Sequence, residues 1–78
     1  MELQEVAAVE RVLFTISPCY NGWQVRDELR NRDWFEELEQ AVASASTLAQ
    51  LRHSLTGRAT GVLVQVGEDV AVMRVRHG

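Results

Sequence analysis

The chain has 78 residues, a hydrophobic content of 46% and a formal net charge of −3. This length allows one domain with a small core, so stabilisation by a partner subunit is a reasonable expectation. Overall acidity disfavours strong non-specific binding to nucleic acid. The charge is uneven, because residues 1–39 hold nine acidic groups and four arginines while residues 40–78 hold two and four.

The first ten residues, MELQEVAAVE, have no basic segment followed by an apolar run. We therefore expect no signal peptide and treat residues 1–9 as an N-terminal tail, with residues 10–78 forming a single α+β domain. No stretch is apolar enough over about 20 residues to span a membrane. One cysteine rules out an internal disulfide, and together these features predict a cytoplasmic location.

Two strand-like runs, 12–17 and 23–26, flank Asn21-Gly22, a dipeptide typical of β-hairpin turns. The loop is either Asn21-Gly22 itself or a longer one that pairs Pro18 with Trp23, and both give the same faces. One face is predicted to be apolar and to lie in the core: Phe14, Ile16, Pro18, Tyr20, Trp23, Val25 and Leu29. Asp27 is the misfit on that face and is expected to lie beyond the covered part of the sheet.

A turn is predicted at Asn31-Arg32, with a short third strand around it as an option. Asp33 and Glu36 have the spacing of a capping box, so we expect Asp33 to be the N-cap of a helix over about 34–55. Its apolar stripe is rich in alanine and allows close packing on a sheet. Gly57 is the expected stop.

The run 62–66, the turn Gly67-Glu68-Asp69 and the run 70–76 form a second predicted hairpin. Alternation assigns one apolar set to the core: Val62, Val64, Val66, Ala71, Met73 and Val75. The opposite set is assigned to the open face: Leu63, Gln65, Val70, Val72, Arg74 and Arg76. The chain therefore reads as α+β, an antiparallel sheet of four to five strands with one long helix on one face, in the order ββ(β)αββ.

This arrangement resembles the small bacterial domains catalogued as domain of unknown function 2188. The similar features are Trp23-Gln24-Val25 after a short turn, Phe35 at the helix start, the alanine-rich helix and Val64-Gln65-Val66-Gly67 before a tight acidic turn. The chain departs from the family pattern at Gly67-Glu68-Asp69, where Asp-Gly is favoured, and between Leu51 and Thr60, which is longer than usual. The resemblance implies a fold and supplies no catalytic residues.

Catalytic chemistry is not indicated by the sequence. Cys19 has no histidine placed to act as a base, and His53 and His77 lack the spacings of metal ligands. Gly57 and Gly61 are isolated and no P-loop lysine follows them. We therefore predict no enzyme activity, no cofactor and no metal.

The sequence instead predicts a non-enzymatic interaction or accessory domain, with a homodimer through the open sheet face or an edge strand as one form of it. Arginine mixed with exposed aliphatic residues is typical of interfaces. The candidate interaction residues are Leu63, Val70, Val72, Arg26, Arg74 and Arg76. The alternative is a nucleic-acid-binding module that uses the arginines of this face, although the aromatic residues are predicted to point inward.

Overall fold

A computed structural model describes residues 11–78, so the predicted tail at 1–9 lies outside the described residues. Five strands and one helix make up this part of the chain, which confirms the α+β class and the optional third strand. The strands are β1 (Val12–Cys19), β2 (Gly22–Arg26), β3 (Asn31–Phe35), β4 (Thr60–Gly67) and β5 (Val70–His77). The helix α1 is Leu38–Thr56 and lies between β3 and β4.

The sheet is mixed, and the prediction of a purely antiparallel sheet is wrong. Its strand order is β3-β2-β1-β4-β5, with β1 parallel to β4 and every other pair antiparallel. The reason is the helix: after three alternating strands, its 19 residues run back about 28 Å along the sheet. The chain then enters β4 beside β1 and in the direction of β1.

The core lies between α1 and one face of the sheet. Inward side chains of the central strands are fully buried, and the helix meets them with small residues at Ala41, Ala45 and Ala49. The alanines let the helix axis approach the sheet, and the hydroxyl of Thr60 donates to the Ala49 carbonyl oxygen at 2.9 Å inside this layer. The buried strand residues are Val12, Phe14, Ile16, Val25, Val62 and Val64.

The first hairpin turns at Tyr20-Asn21. Pro18 pairs with Trp23 and Cys19 with Gly22, as the longer predicted loop required. Asn21 has the positive φ, 62°, and Gly22 does not. Tyr20 is 88% exposed at the turn, so its assignment to the core is wrong, as are those of the exposed Leu29 and Pro18.

Gly22 is required by space. A Cβ at this position would lie 2.5 Å from Cζ2 of Trp34 and would also overlap the carbonyl oxygen of Phe35. Trp34 lies in β3 opposite Gln24, on the sheet face away from the helix, where its ring covers the glycine. Because Gly22 has no side chain, Trp34 and Phe35 of β3 can lie against it.

The helix begins later than predicted, and the capping box is wrong. Asp33 and Trp34 belong to β3, and Glu37 is the N-cap without a side-chain hydrogen bond. Strand pairing with β2 extends through Phe35 and overrides the local preference of Asp33 for a helix start. The predicted stop is confirmed, because Gly57 adopts φ 75° and its N–H donates to the His53 carbonyl oxygen at 2.8 Å.

Candidate interaction surface

The six candidate residues do not share one face. Leu63 pairs with Met73 on the open side of the sheet, away from α1, whereas Val72 pairs with the buried Val64 on the helix side. Adjacent residues of a strand point to opposite sides, so Val70 joins Val72 on the helix side. Assigning Val70, Val72 and Arg74 to the open face is therefore wrong, while Arg26, Leu63 and Arg76 do lie there.

A β-bulge causes this change of face. Val62 pairs with Val75 but Leu63 pairs with Met73, which leaves Arg74 as an extra residue in β5. The guanidinium of Arg74 then reaches the helix, where its Nη2 donates to both carboxylate oxygens of Glu39 at 3.1 and 3.2 Å. The alternation rule used on the sequence holds only up to such an insertion.

The bulge also corrects the predicted core. Met73 lies on the open face, where its sulfur covers Gly61 so closely that a Cβ there would meet it at 2.8 Å. Ala71 pairs with Gln65 and so lies on the open face as well. Val66 falls where a second register shift interrupts pairing with β5, and it is exposed. Of the β5 residues predicted to lie in the core, only Val75 packs against it.

Strand β5 is an edge of the described sheet. On one side it pairs with β4, and on the other no strand formed by residues 11–78 pairs with it. Val70 is 51% exposed and Val72 is 44% exposed, and Ala71 between them is exposed too. The strand thus presents unpaired backbone groups bordered by apolar side chains.

The open face carries a shallow, mostly polar depression. Arg11, Thr15, Ser17 and Arg26 line it, together with a half-buried Leu13. Arg11 is engaged already, because its Nη1 donates to the Thr60 carbonyl oxygen at 2.7 Å and its Nη2 to that of Gly78 at 3.2 Å. This surface offers polar contacts and little apolar area.

Asp27 has a role that sequence reasoning missed. Its Oδ1 accepts hydrogen bonds from the N–H groups of Leu29 and Arg30 at 2.8 and 2.9 Å, and its Oδ2 accepts one from Arg32 at 3.1 Å. The Leu29 N–H, then the Arg30 N–H, hold the pKa of this carboxyl below its usual range despite burial, and Arg32 adds to the effect. The sequence signal for this role was an acidic residue at an apolar position just before a turn, where its carboxylate can accept hydrogen bonds from the N–H groups of the turn.

Cys19 and the histidines lie at opposite ends of the sheet. Cys19 is exposed at the end of β1, whereas Nδ1 of His53 lies 2.7 Å from the Arg58 carbonyl oxygen, in the turn before β4. The start of β4 pairs with the start of β1, so about seven residues, or about 23 Å, of strand separate the two ends. The imidazoles of His53 and His77 stack with centroids 6.4 Å apart. Residues 11–78 contain no group of three acidic, cysteine or histidine residues suited to a metal ion.

In the part of the chain described, no helix combines the length and apolar character needed to cross a membrane. Comparison with known proteins finds no matching family model, curated relative or solved structure. The resemblance to domain of unknown function 2188, the absence of enzyme activity and the cytoplasmic location all stay predictions from sequence.

Proposed function

We propose that this chain is a non-enzymatic interaction domain whose edge strand β5 accepts a strand from another polypeptide. The observation that carries the proposal is the open edge of β5. Its eight residues extend about 26 Å, with exposed apolar side chains at Val70, Ala71 and Val72. Backbone hydrogen bonds along such an edge supply affinity, and side chains on both sides supply specificity.

The sequence of β5 favours this use of the edge. Soluble proteins commonly protect an edge strand with proline, lysine or a short length. Strand β5, VAVMRVRH, contains neither residue and is as long as the central strand β1. The bulge at Arg74 and the charges of Arg74 and Arg76 protect the far half of the strand, but the apolar run from Val70 to Met73 has no such protection, so we infer that a defined partner covers it.

Position 70 offers a direct test of the proposal. A photoreactive amino acid replaces Val70 in the cell, and a matched control replaces Leu55, which is also exposed but lies at the end of α1. We expect a discrete adduct from position 70, with the linked residue in an extended segment of one polypeptide. Position 55 should give none. No adduct from position 70, or the same adducts from both positions, would overturn the proposal.

A second candidate function is nucleic-acid binding through the open face. The observation in its favour is that Arg11 and Arg26 line the same depression. Against it, Arg74 turns to the helix side and Arg11 is occupied by backbone carbonyls. Titration with single- and double-stranded oligonucleotides at low salt tests this function, and binding that weakens with salt in proportion to phosphate contacts would support it.

A further inference from the structure

Charge is distributed unequally along the β5 edge. The turn that precedes the strand carries Glu68 and Asp69, and the far half of the strand carries Arg74 and Arg76. Arg74 is paired with Glu39, but Glu68, Asp69 and Arg76 make no ion pair with another residue of the described chain. The edge therefore has a negative end, an apolar middle and a positive end.

We propose that the strand which covers β5 is β5 of a second copy, paired antiparallel about a two-fold axis. This inference rests on the proposed function and names its partner. An antiparallel copy brings the acidic turn of each chain to the basic end of the other, so both ends gain opposite charges. A parallel copy would place acid beside acid and arginine beside arginine, which is unfavourable.

Symmetry requires the axis to pass at a residue of β5, and the arrangement of apolar and charged side chains favours Val72. A two-fold axis between antiparallel strands is perpendicular to the sheet, so a residue on the axis pairs with its own copy. Centring on Val72 pairs Val72 with the partner's Val72, and Ala71 with the partner's Met73. Because Arg74 is the extra residue of the bulge, Arg76 lies about three ladder positions from the axis, and this register brings the turn Glu68-Asp69 beside the partner's Arg76. Apolar groups then meet in the middle and opposite charges meet at both ends.

The same axis keeps both helices on one side of a continuous ten-stranded sheet. Val70 and Val72 lie on the helix side, so the valines of the two copies meet in the gap between the helices. Burial of these side chains adds apolar area to a core in which, among residues 11–78, three of the ten buried hydrophobic residues are alanines. A small domain gains most from such an addition.

A charge exchange tests this arrangement. Glu68→Arg places arginine at both position 68 and position 76, and Arg76→Glu places glutamate at both positions. In either homodimer two like-charge contacts replace two attractive ones, and we expect the dimer dissociation constant to rise about 10-fold or more. An equimolar mixture restores both attractive contacts, so it should dimerise again as a heterodimer. Sedimentation equilibrium across a concentration range measures the dissociation constant of each variant alone and of the equimolar mixture.

Control variants separate this effect from general charge effects. Arg30→Glu changes the same charge at an exposed residue beyond β2 and should leave the dimer unchanged. Val72→Glu places two carboxylates at the axis and should abolish the dimer, whereas Leu55→Glu on the helix should not. Circular dichroism of each variant shows that the fold is retained.

The inference is overturned if the unaltered protein is a monomer at all concentrations, or if it is a dimer that the charge variants leave unchanged. It is also overturned if the two weakened variants fail to recover on mixing. A monomer whose residue 70 still gives a discrete adduct with a different protein would refute the second copy as partner and retain strand addition. A monomer without any such adduct would refute both.

Discussion

The two edges of the sheet carry similar ion pairs in different surroundings. At the β3 edge, Arg32 lies 3.1 Å from Asp27, whose side chain is 5% exposed. At the β5 edge, Arg74 lies 3.1 Å from Glu39, whose side chain is 72% exposed. Equal distances do not imply equal contributions, because solvent screens the second pair and the first carboxylate also holds two backbone N–H groups.

The remaining contacts extend this contrast. The β3 edge is five residues long, its Trp34 packs over Gly22, and the side-chain amide of Gln24 donates to the Asp33 carbonyl oxygen at 2.8 Å. Strand β5 is longer and depends on its ladder with β4, which two register shifts interrupt. The β3 edge is fixed by side-chain contacts with β2 and its turn, whereas β5 is fixed by its backbone ladder with β4, by Val75 and by Arg74.

The largest expected effect is at the fixed edge. Asp27→Ala removes three hydrogen bonds and leaves the N–H groups of Leu29 and Arg30 without their acceptor. We expect a loss of about 3 kcal/mol in the free energy of unfolding, measured by urea denaturation. Glu28→Ala, at the exposed neighbouring position, is the control and should change stability by less than about 0.5 kcal/mol. Equal losses in the two variants would contradict the role of Asp27.

The second largest loss of stability is expected at Gly22, where a side chain has no room. Gly22→Ala forces Trp34 or the Phe35 carbonyl to move, and overpacking of this kind costs about 1–3 kcal/mol. Gly67→Ala is the matched control, because its Cβ would meet only Val70 at 3.9 Å and its φ is not positive. Urea denaturation of both variants provides the measurement. No loss of stability in Gly22→Ala would mean that β3 does not need the glycine, and equal losses in the two variants would mean that overlap with Trp34 is not the cause.

The third prediction concerns pH. The pKa of Asp27 is lower in the folded chain than in the unfolded chain, so its ionised form favours the folded state. This contribution is complete above the unfolded pKa and is lost as the pH falls through the folded pKa. Stability should therefore decline below about pH 5, and Asp27→Asn should flatten that decline. Urea denaturation at several pH values is the measurement, and an unchanged slope in the variant would contradict the assignment.

Sequence reasoning recovered what depends on short-range periodicity. The alternation in β1 and β2 correctly placed Phe14, Ile16 and Val25 in the core, and Gly57 was correctly assigned as the helix stop. It failed where one residue is inserted: the bulge at Arg74 reverses the faces of the strand before it, and no local signal marks the insertion. The parallel pairing of β1 with β4 was also missed, because direction depends on the whole path of the chain.

The smallest expected effect is at the open edge, where Arg74→Ala removes the exposed pair with Glu39. Both side chains are accessible to solvent, so we expect a change below about 0.5 kcal/mol in the free energy of unfolding of the monomer. Urea denaturation in the Arg76→Glu background, where we expect the proposed dimer to be weaker, measures the effect on the monomer. A loss near that of Asp27→Ala would mean that β5 is held within the chain as firmly as β3. A small loss would mean that this exposed ion pair does not hold β5 in place, as the solvent exposure of both side chains predicts.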